Sequence, residues 1–301
     1  MANLKDIKNR INSVQNTKKI TKAMKMVAAA KVKKAENTVK AGRPFSDELL
    51  HLFRKLVATV SEFSVTGLKV ARGIDNYPVL LTNREIKTEG LLVITSNKGL
   101  AGAYNANIIK AALKRVKENS EKGLKTVIYP VGQKAVSSLK NKKGDYELHE
   151  GYLSVANEPT ALGSNIIAED IAEDFVNGKI DKIDIITTHF NNMMSYNVVD
   201  WQILPVKIKK AETHEIDPIM EFEPNAHAVL QQVVPMYITN SIYQALLEAN
   251  ASELASRMTA MSAASNNAEE MINTLTIDYN KARQWAITQE LVEIVSGAAA
   301  I

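Results

Sequence analysis

The chain has 301 residues, 46% of them apolar, with a formal net charge of +4 and no cysteine. That length suffices for one large or two ordinary domains, and the missing cysteine excludes disulfides, thiolate metal sites and thiol-based redox control. No apolar run approaches the ~18–20 residues of a membrane span, and MANLKDIKNR lacks the apolar core of a signal peptide, so a soluble, cytoplasmic chain is expected, one that partners could still hold at a membrane.

Residues 3–57 read as helix. Leu4, Ile7, Ile11 and Val14 have the alternating spacing of a coiled-coil seam, and Ile20, Met24 and Val27 are expected to resume it after a slip. Gly42-Arg43-Pro44 predicts a kink, after which Leu49, Leu50, Phe53, Leu56 and Val57 restart the pattern. Residues 61–88 carry Gly67, Gly73 and Pro78 without a period and read as a connecting segment.

From Gly90 strands and helices alternate. GLLVITS (90–96) is a buried strand, Asn97 to Gly102 a turn, and Tyr104 to Asn119 a helix. LKTVIYP (124–130) is a second strand, followed by a short helix at Gln133–Leu139 and an amphipathic helix from Thr160 to Val176. KIDIITTHF (182–190) and SYNVVDWQILP (195–205) read as a strand pair across Asn191–Met194. This texture implies an α/β domain with a mostly parallel sheet.

Residues 206–224 read as a proline-containing linker. Helix is expected from about Asn225, interrupted at Pro235, and then running to the end. From Met236 on there is no proline and only Gly297 as glycine, so the helix would be roughly 95 Å long, too long for one compact core. Small residues at Ala245, Ala249, Ser252, Ser256, Thr259, Ala263 and Asn266 are expected to form its seam. The apolar tail LVEIVSGAAAI calls for a covering protein.

Charge is unevenly spread. Residues 1–40 hold eleven Lys/Arg against Asp6 and Glu36, whereas residues 236–301 hold Arg257, Lys281 and Arg283 against seven acids. Two such terminal helices would attract when antiparallel. The surplus positive charge then faces something else.

Candidate chemistry is thin. The turn Ser96-Asn97-Lys98-Gly99-Leu100-Ala101-Gly102 sits where a phosphate loop would, but fits neither G-x-x-x-x-G-K-[ST] nor G-x-G-x-x-G and reads better as a tight turn. His51, His149, His189, His214 and His227 show no metal-ligand spacing. There is no G-x-S-x-G, no H-E-x-x-H and no cysteine nucleophile. No cofactor or metal is implied. The basic first helix could meet nucleic-acid phosphates, yet it lacks aromatics before Phe45 and any recognised binding motif.

The tail Ile287-Thr288-Gln289-Glu290-Leu291-Val292-Glu293-Ile294-Val295-Ser296-Gly297-Ala298-Ala299-Ala300 resembles the C-terminal signature of the gamma subunit of F-type ATP synthases. YNKARQWAITQE, ASRMTAMSAASNNA and VQNTKKITKAMKMVAAAK are similar to the same family. TSNKGLAGAYN resembles its TSDRGLCGxxN, departing at Asn97, Lys98 and Ala101.

The resemblance implies a left-handed antiparallel coiled coil of the terminal helices, with a central Rossmann-like α/β domain. Its division is 1–60 and 211–301 for the helices, 61–88 for the connection and 89–210 for the α/β domain. It implies a central rotor shaft inside a hexamer of alpha and beta subunits, its foot against the epsilon subunit and the c-ring. Proton-driven rotation is thereby coupled to ATP synthesis and hydrolysis at beta-subunit sites, and the shaft itself catalyses nothing. A peripheral place on the cytoplasmic side of the cell membrane follows. By motif match, partner contacts are expected at Lys22, Met24, Lys25, Arg257, Met258, Lys281, Arg283, Gln284, Thr288 and Glu290. The alternatives are a nucleic-acid-binding coiled-coil protein with a structural α/β domain, and a nucleotide-using enzyme with its phosphate site at Asn97–Gly102.

Overall fold

The computed structural model describes residues 4–59, 77–142, 144–206, 223 and 226–298. Most of the connecting segment expected at 61–88 and nearly all of the linker expected at 206–224 lie outside the described residues. The chain divides into two compact units, Met1–Ala30 with Arg257–Ile301, and Lys31–Ser256.

Two long helices, α1 (Leu4–Thr59) and α6 (Ala226–Ala298), begin and end the described chain. Between them come α2 (Tyr77–Leu80), β1 (Thr88–Ile94), α3 (Tyr104–Glu121), β2 (Lys125–Val131), α4 (Gln133–Lys140), β3 (Glu147–Leu148), α5 (Ala161–Val176), β4 (Lys182–Asn192) and β5 (Ser195–Leu204). The interruption expected at Pro235 is not found, whereas the single helix expected across Pro44 is present. A proline removes one backbone bond. Here buried apolar residues on either side, such as Val233, Val234 and Ile238 around Pro235, hold the helix against the core.

In the larger unit the sheet runs β3-β2-β1-β4-β5, parallel except for the antiparallel β4–β5 pair. β1 lies in the middle, and every residue from Glu89 to Ile94 is buried, because both faces of a parallel sheet are covered. Side chains alternate between the two faces. Leu91, Val93, Ile128 and Ile186 pack with Ile108, Ala112 and Leu139 of α3 and α4. Leu92, Ile94, Tyr129 and Ile185 face Ile167, Ile171 and Phe175 of α5, together with Phe53 and Leu56 of α1 and Ile238 and Ile242 of α6. The long helices are therefore part of the domain's own core. At the turn into α4, Gly132 has φ +89, and a Cβ there would sit 2.5 Å from the Thr95 carbonyl oxygen, so only glycine fits.

In the smaller unit the seam advances in steps of three and four residues. On α1 it comprises Leu4, Ile7, Ile11, Val14, Lys18, Thr21, Met24 and Ala28. On α6 it comprises Met261, Ser265, Ala268, Ile272, Leu275, Tyr279, Ala282 and Ala286. The slip is not where it was expected: Ile20 is 60% exposed and Val27 57%, while Lys18 and Thr21 hold the inner positions, and of the three residues expected to resume the seam only Met24 is half-buried on it. A lysine can pack its stem and keep its ammonium out, and Lys18 does so while pairing with Glu269 at 3.1 Å. The small-residue seam expected on α6 is also corrected. Thr259, Ala263 and Asn266 are exposed, and in the larger unit Ala249 and Ser256 turn toward the α/β layer. There Tyr104 Oη donates to the Ala249 carbonyl, and Ser256 Oγ to that of Ala101.

Candidate partner interface

The ten residues singled out as partner contacts all belong to the smaller unit. Lys22 and Lys25 are exposed and share one face of α1, being three apart. Met24 is half-buried on the seam, and Arg257 and Met258 on α6 are half-buried as well. The Lys18–Glu269 pair sets the local register. With the helices antiparallel, Lys22 and Lys25 lie along the stretch between Glu269 and Arg257.

Lys281, Arg283, Gln284, Thr288 and Glu290 are exposed on the last turns of α6. Their spacing puts Lys281, Gln284 and Thr288 on one stripe and Arg283 and Glu290 on another. Arg257 is twenty-four residues before Lys281, roughly 36 Å along the helix, so the ten do not converge on one point. They line an extended surface. From Ile287 to Ser296 every side chain is exposed. That surface includes large apolar groups: Leu291 at 57%, Val292 at 58%, Ile294 at 67% and Val295 at 66%.

Sequence reasoning missed part of this surface. Ile20, Met26 and Val27 on α1 and Trp285 on α6 are exposed and apolar. Carrying the heptad through Lys18 and Thr21 without a slip would have placed Ile20 and Val27 outside.

Five threonine hydroxyls in this unit bond back along their own helices. Thr17 donates to the Ser13 carbonyl, Thr21 to Thr17, Thr274 to Glu270, Thr276 to Ile272 and Thr288 to Gln284, at 2.7–3.1 Å.

The α/β domain offers no comparable chemistry. In the turn after β1 the polar groups hold the fold. Asn97 accepts from Gln133 N and donates to the Leu153 carbonyl, Ser96 N donates to Asn105 Oδ1, and Thr95 Oγ1 accepts from Ala135 N. At the start of α3, the helix that this turn opens and where a phosphate would sit, Tyr104 N already donates to the Ala101 carbonyl at 3.1 Å. Leu100, at φ 63, and Gly102, at φ 54, shape that turn. Buried charges elsewhere are paired: Lys182 with Glu89 at 2.6 Å and with Asp184 at 2.5 Å, and Arg115 with Asp184. Burial alone would lower the Arg115 pKa, but Glu89, Asp184 and Asp200 together raise it. Among the described residues no group of histidine, aspartate and glutamate could hold a metal ion. Among them also no helix is long and apolar enough to cross a membrane.

The family model described as ATP synthase matches residues 3–301. The chain is 39% identical to the ATP synthase gamma chain of Synechococcus sp. (strain JA-3-3Ab) and 39% identical to that of Nostoc punctiforme. It is 38% identical to the gamma chain of Heliobacterium modesticaldum, and in all three comparisons both chains are covered completely. Among solved structures it is similar to a chain of the Tetrahymena thermophila mitochondrial ATP synthase central stalk and c-ring, at 27% identity and TM-score 0.57. That match covers 82% of this chain and 99% of the other. A chain of the Euglena gracilis mitochondrial ATP synthase has the same fold, with TM-score 0.66 at 18% identity over 99% of this chain and 94% of that one.

Proposed function

The chain belongs to the ATP synthase gamma-chain family and is the central rotor shaft of an F-type ATP synthase, and from that premise we propose which partners its surfaces meet. It is a subunit of a membrane-associated complex whose work is ATP synthesis and ion transport. The nucleic-acid alternative finds no support among these relatives.

In the proposal, the last turns of α6 run inside a sleeve contributed by the alpha and beta subunits. Lys22, Lys25 and Arg257 face acidic loops of beta, an attraction that tolerates rotation because it is not tied to one geometry. Met24 and Met258 lie at the margin of that contact. Lys281, Arg283, Gln284, Thr288 and Glu290 meet the sleeve near the tip. The α/β domain binds the epsilon subunit and the c-ring. The shaft makes and breaks no phosphate bond; beta does. It sits peripherally on the cytoplasmic side of the cell membrane.

One observation carries this reading: the exposed apolar side chains of Ile287, Leu291, Val292, Ile294 and Val295. A patch of that kind on a soluble surface marks a place where another protein sits. The test is capture of the intact complex. The chain is tagged at its N-terminus, membranes are solubilised gently, and the co-purifying chains and ATPase activity are recorded. Recovery of two larger subunits with ATP hydrolysis is expected. A lone chain, or one carrying nucleic acid, would overturn the proposal.

A further inference from the structure

Within the larger unit, α1 and α6 cross-link antiparallel: Ser46 accepts from Asn240 at 2.9 Å, and Phe53 stacks on Tyr237 with ring centroids 5.0 Å apart. Between these contacts and Val32 the two helices close around a residue of the sheet. Phe190 of β4 is 2% exposed, packed among Val32 and Val39 of α1 and Leu247, Ala251 and Ala255 of α6. Its backbone is held from both helices at once. The Arg43 guanidinium of α1 donates to the Phe190 carbonyl at 2.9 Å. Glu248 of α6 accepts from Phe190 N at 3.4 Å. The same carboxylate accepts from Arg43 Nε at 3.2 Å and Gln244 Nε2 at 3.2 Å, and it pairs with His189 Nδ1. The approach is tight, since a Cβ on Gly42 would lie 2.8 Å from Gln244 Oε1.

We propose that Arg43 and Glu248 are positioning residues that lock the α/β layer to both long helices, so that turning one turns the others. The proposal rests on the rotor role. Torque about a helix axis loads the helix–sheet contact in shear. Apolar packing is non-directional and yields to sliding, whereas hydrogen bonds weaken steeply once misaligned. A guanidinium fork and a carboxylate, charge-assisted and sharing one peptide neighbourhood, are suited to resist it. Other bonds, such as Tyr104 to Ala249 and Thr239 to Asn165, engage α6 singly.

The test uses the whole ATP synthase in vesicles carrying Arg43→Lys, Glu248→Gln or both. ATP-driven proton pumping and ATP hydrolysis are measured on the same preparation. Pumping per ATP should fall about fivefold, the low end of site-to-site coupling, with hydrolysis and subunit composition unchanged. The double variant should lose little more than either single one, because the two residues act as one unit. Arg115→Gln is the control, since it weakens the α/β domain by removing the Arg115 pairs with Glu89 and Asp184. Equal uncoupling by Arg115→Gln would overturn the proposal by making domain stability the cause. Unchanged pumping in both single variants, or failure of Arg43→Lys to assemble, would also overturn it. A wild-type chain that supported neither assembly nor pumping would instead refute the rotor role.

Discussion

Leu291→Glu with Val295→Glu tests the sleeve most directly. The two positions lie four apart on one stripe of α6 and are 57% and 66% exposed. Full burial of such a side chain stabilises by about 1.5–3 kcal/mol. With more than half of each still exposed, a covering protein has about 1–2 kcal/mol to gain at each position. Glutamate removes that gain and adds the cost of stripping water from a carboxylate. The pair should therefore weaken assembly by about 3 kcal/mol, on the order of a hundredfold in affinity. In the isolated chain both positions are exposed surface of a helix, and its stability should move by no more than about 0.5 kcal/mol. Titrating the chain into alpha and beta subunits, read by ATPase and sedimentation, measures the first quantity. A thermal melt of the chain alone measures the second. Unchanged assembly, or a melt that falls in step with assembly, would refute the reasoning.

Asp184→Asn strikes a carboxylate whose side chain is 3% exposed beneath Lys182 and Arg115, and it should cost about 3 kcal/mol in a denaturant titration, because it leaves two cations short of a partner. The Tyr129 and Tyr152 phenols are pushed up, first by burial and then by donation to Asp174 and Asp170. A raised folded pKa gives stability that is complete below the free phenol's value of about 10 and declines as pH rises beyond it. Tyr129→Phe with Tyr152→Phe should flatten that alkaline decline in melts recorded across the range. Gly132→Ala must move either a φ of +89 or the Thr95 carbonyl, and should cost more than about 2 kcal/mol in the same assay. A loss much smaller than that would show the turn to be plastic.

The α/β domain was legible where burial is uniform. GLLVI and KTVIYP are nearly continuous apolar runs, which is how a strand covered on both faces reads, and β1 and β2 fall on them. The two residues of β3 have no pattern of their own; they are a strand only because β2 pairs with them. The helix seam was legible at Leu4 to Val14 and lost at Lys18, because a search for apolar spacing passes over a lysine and a threonine that pack by their stems. The mislaid phase then hid Ile20 and Val27 as surface residues. The small residues at Ala249 and Ser256 misled in the same way, since close approach to a sheet and close approach to a helix select the same side chains. Arg43 and Glu248 are 205 positions apart, and nothing local links them before the chain folds.

The threonines that bond back to their own helices have a mechanical meaning. A hydroxyl whose hydrogen is committed to the carbonyl one turn earlier can still accept but has nothing to donate. Exposed Thr17 on α1, and Thr274, Thr276 and Thr288 on α6, are of this kind, whereas Thr21 faces the seam. Inside the proposed sleeve, directed bonds to the wall would act as detents, each to be broken and remade as the surface moves past. Donors turned inward give the shaft fewer of them, a bearing surface smoothed at the level of single hydrogen atoms.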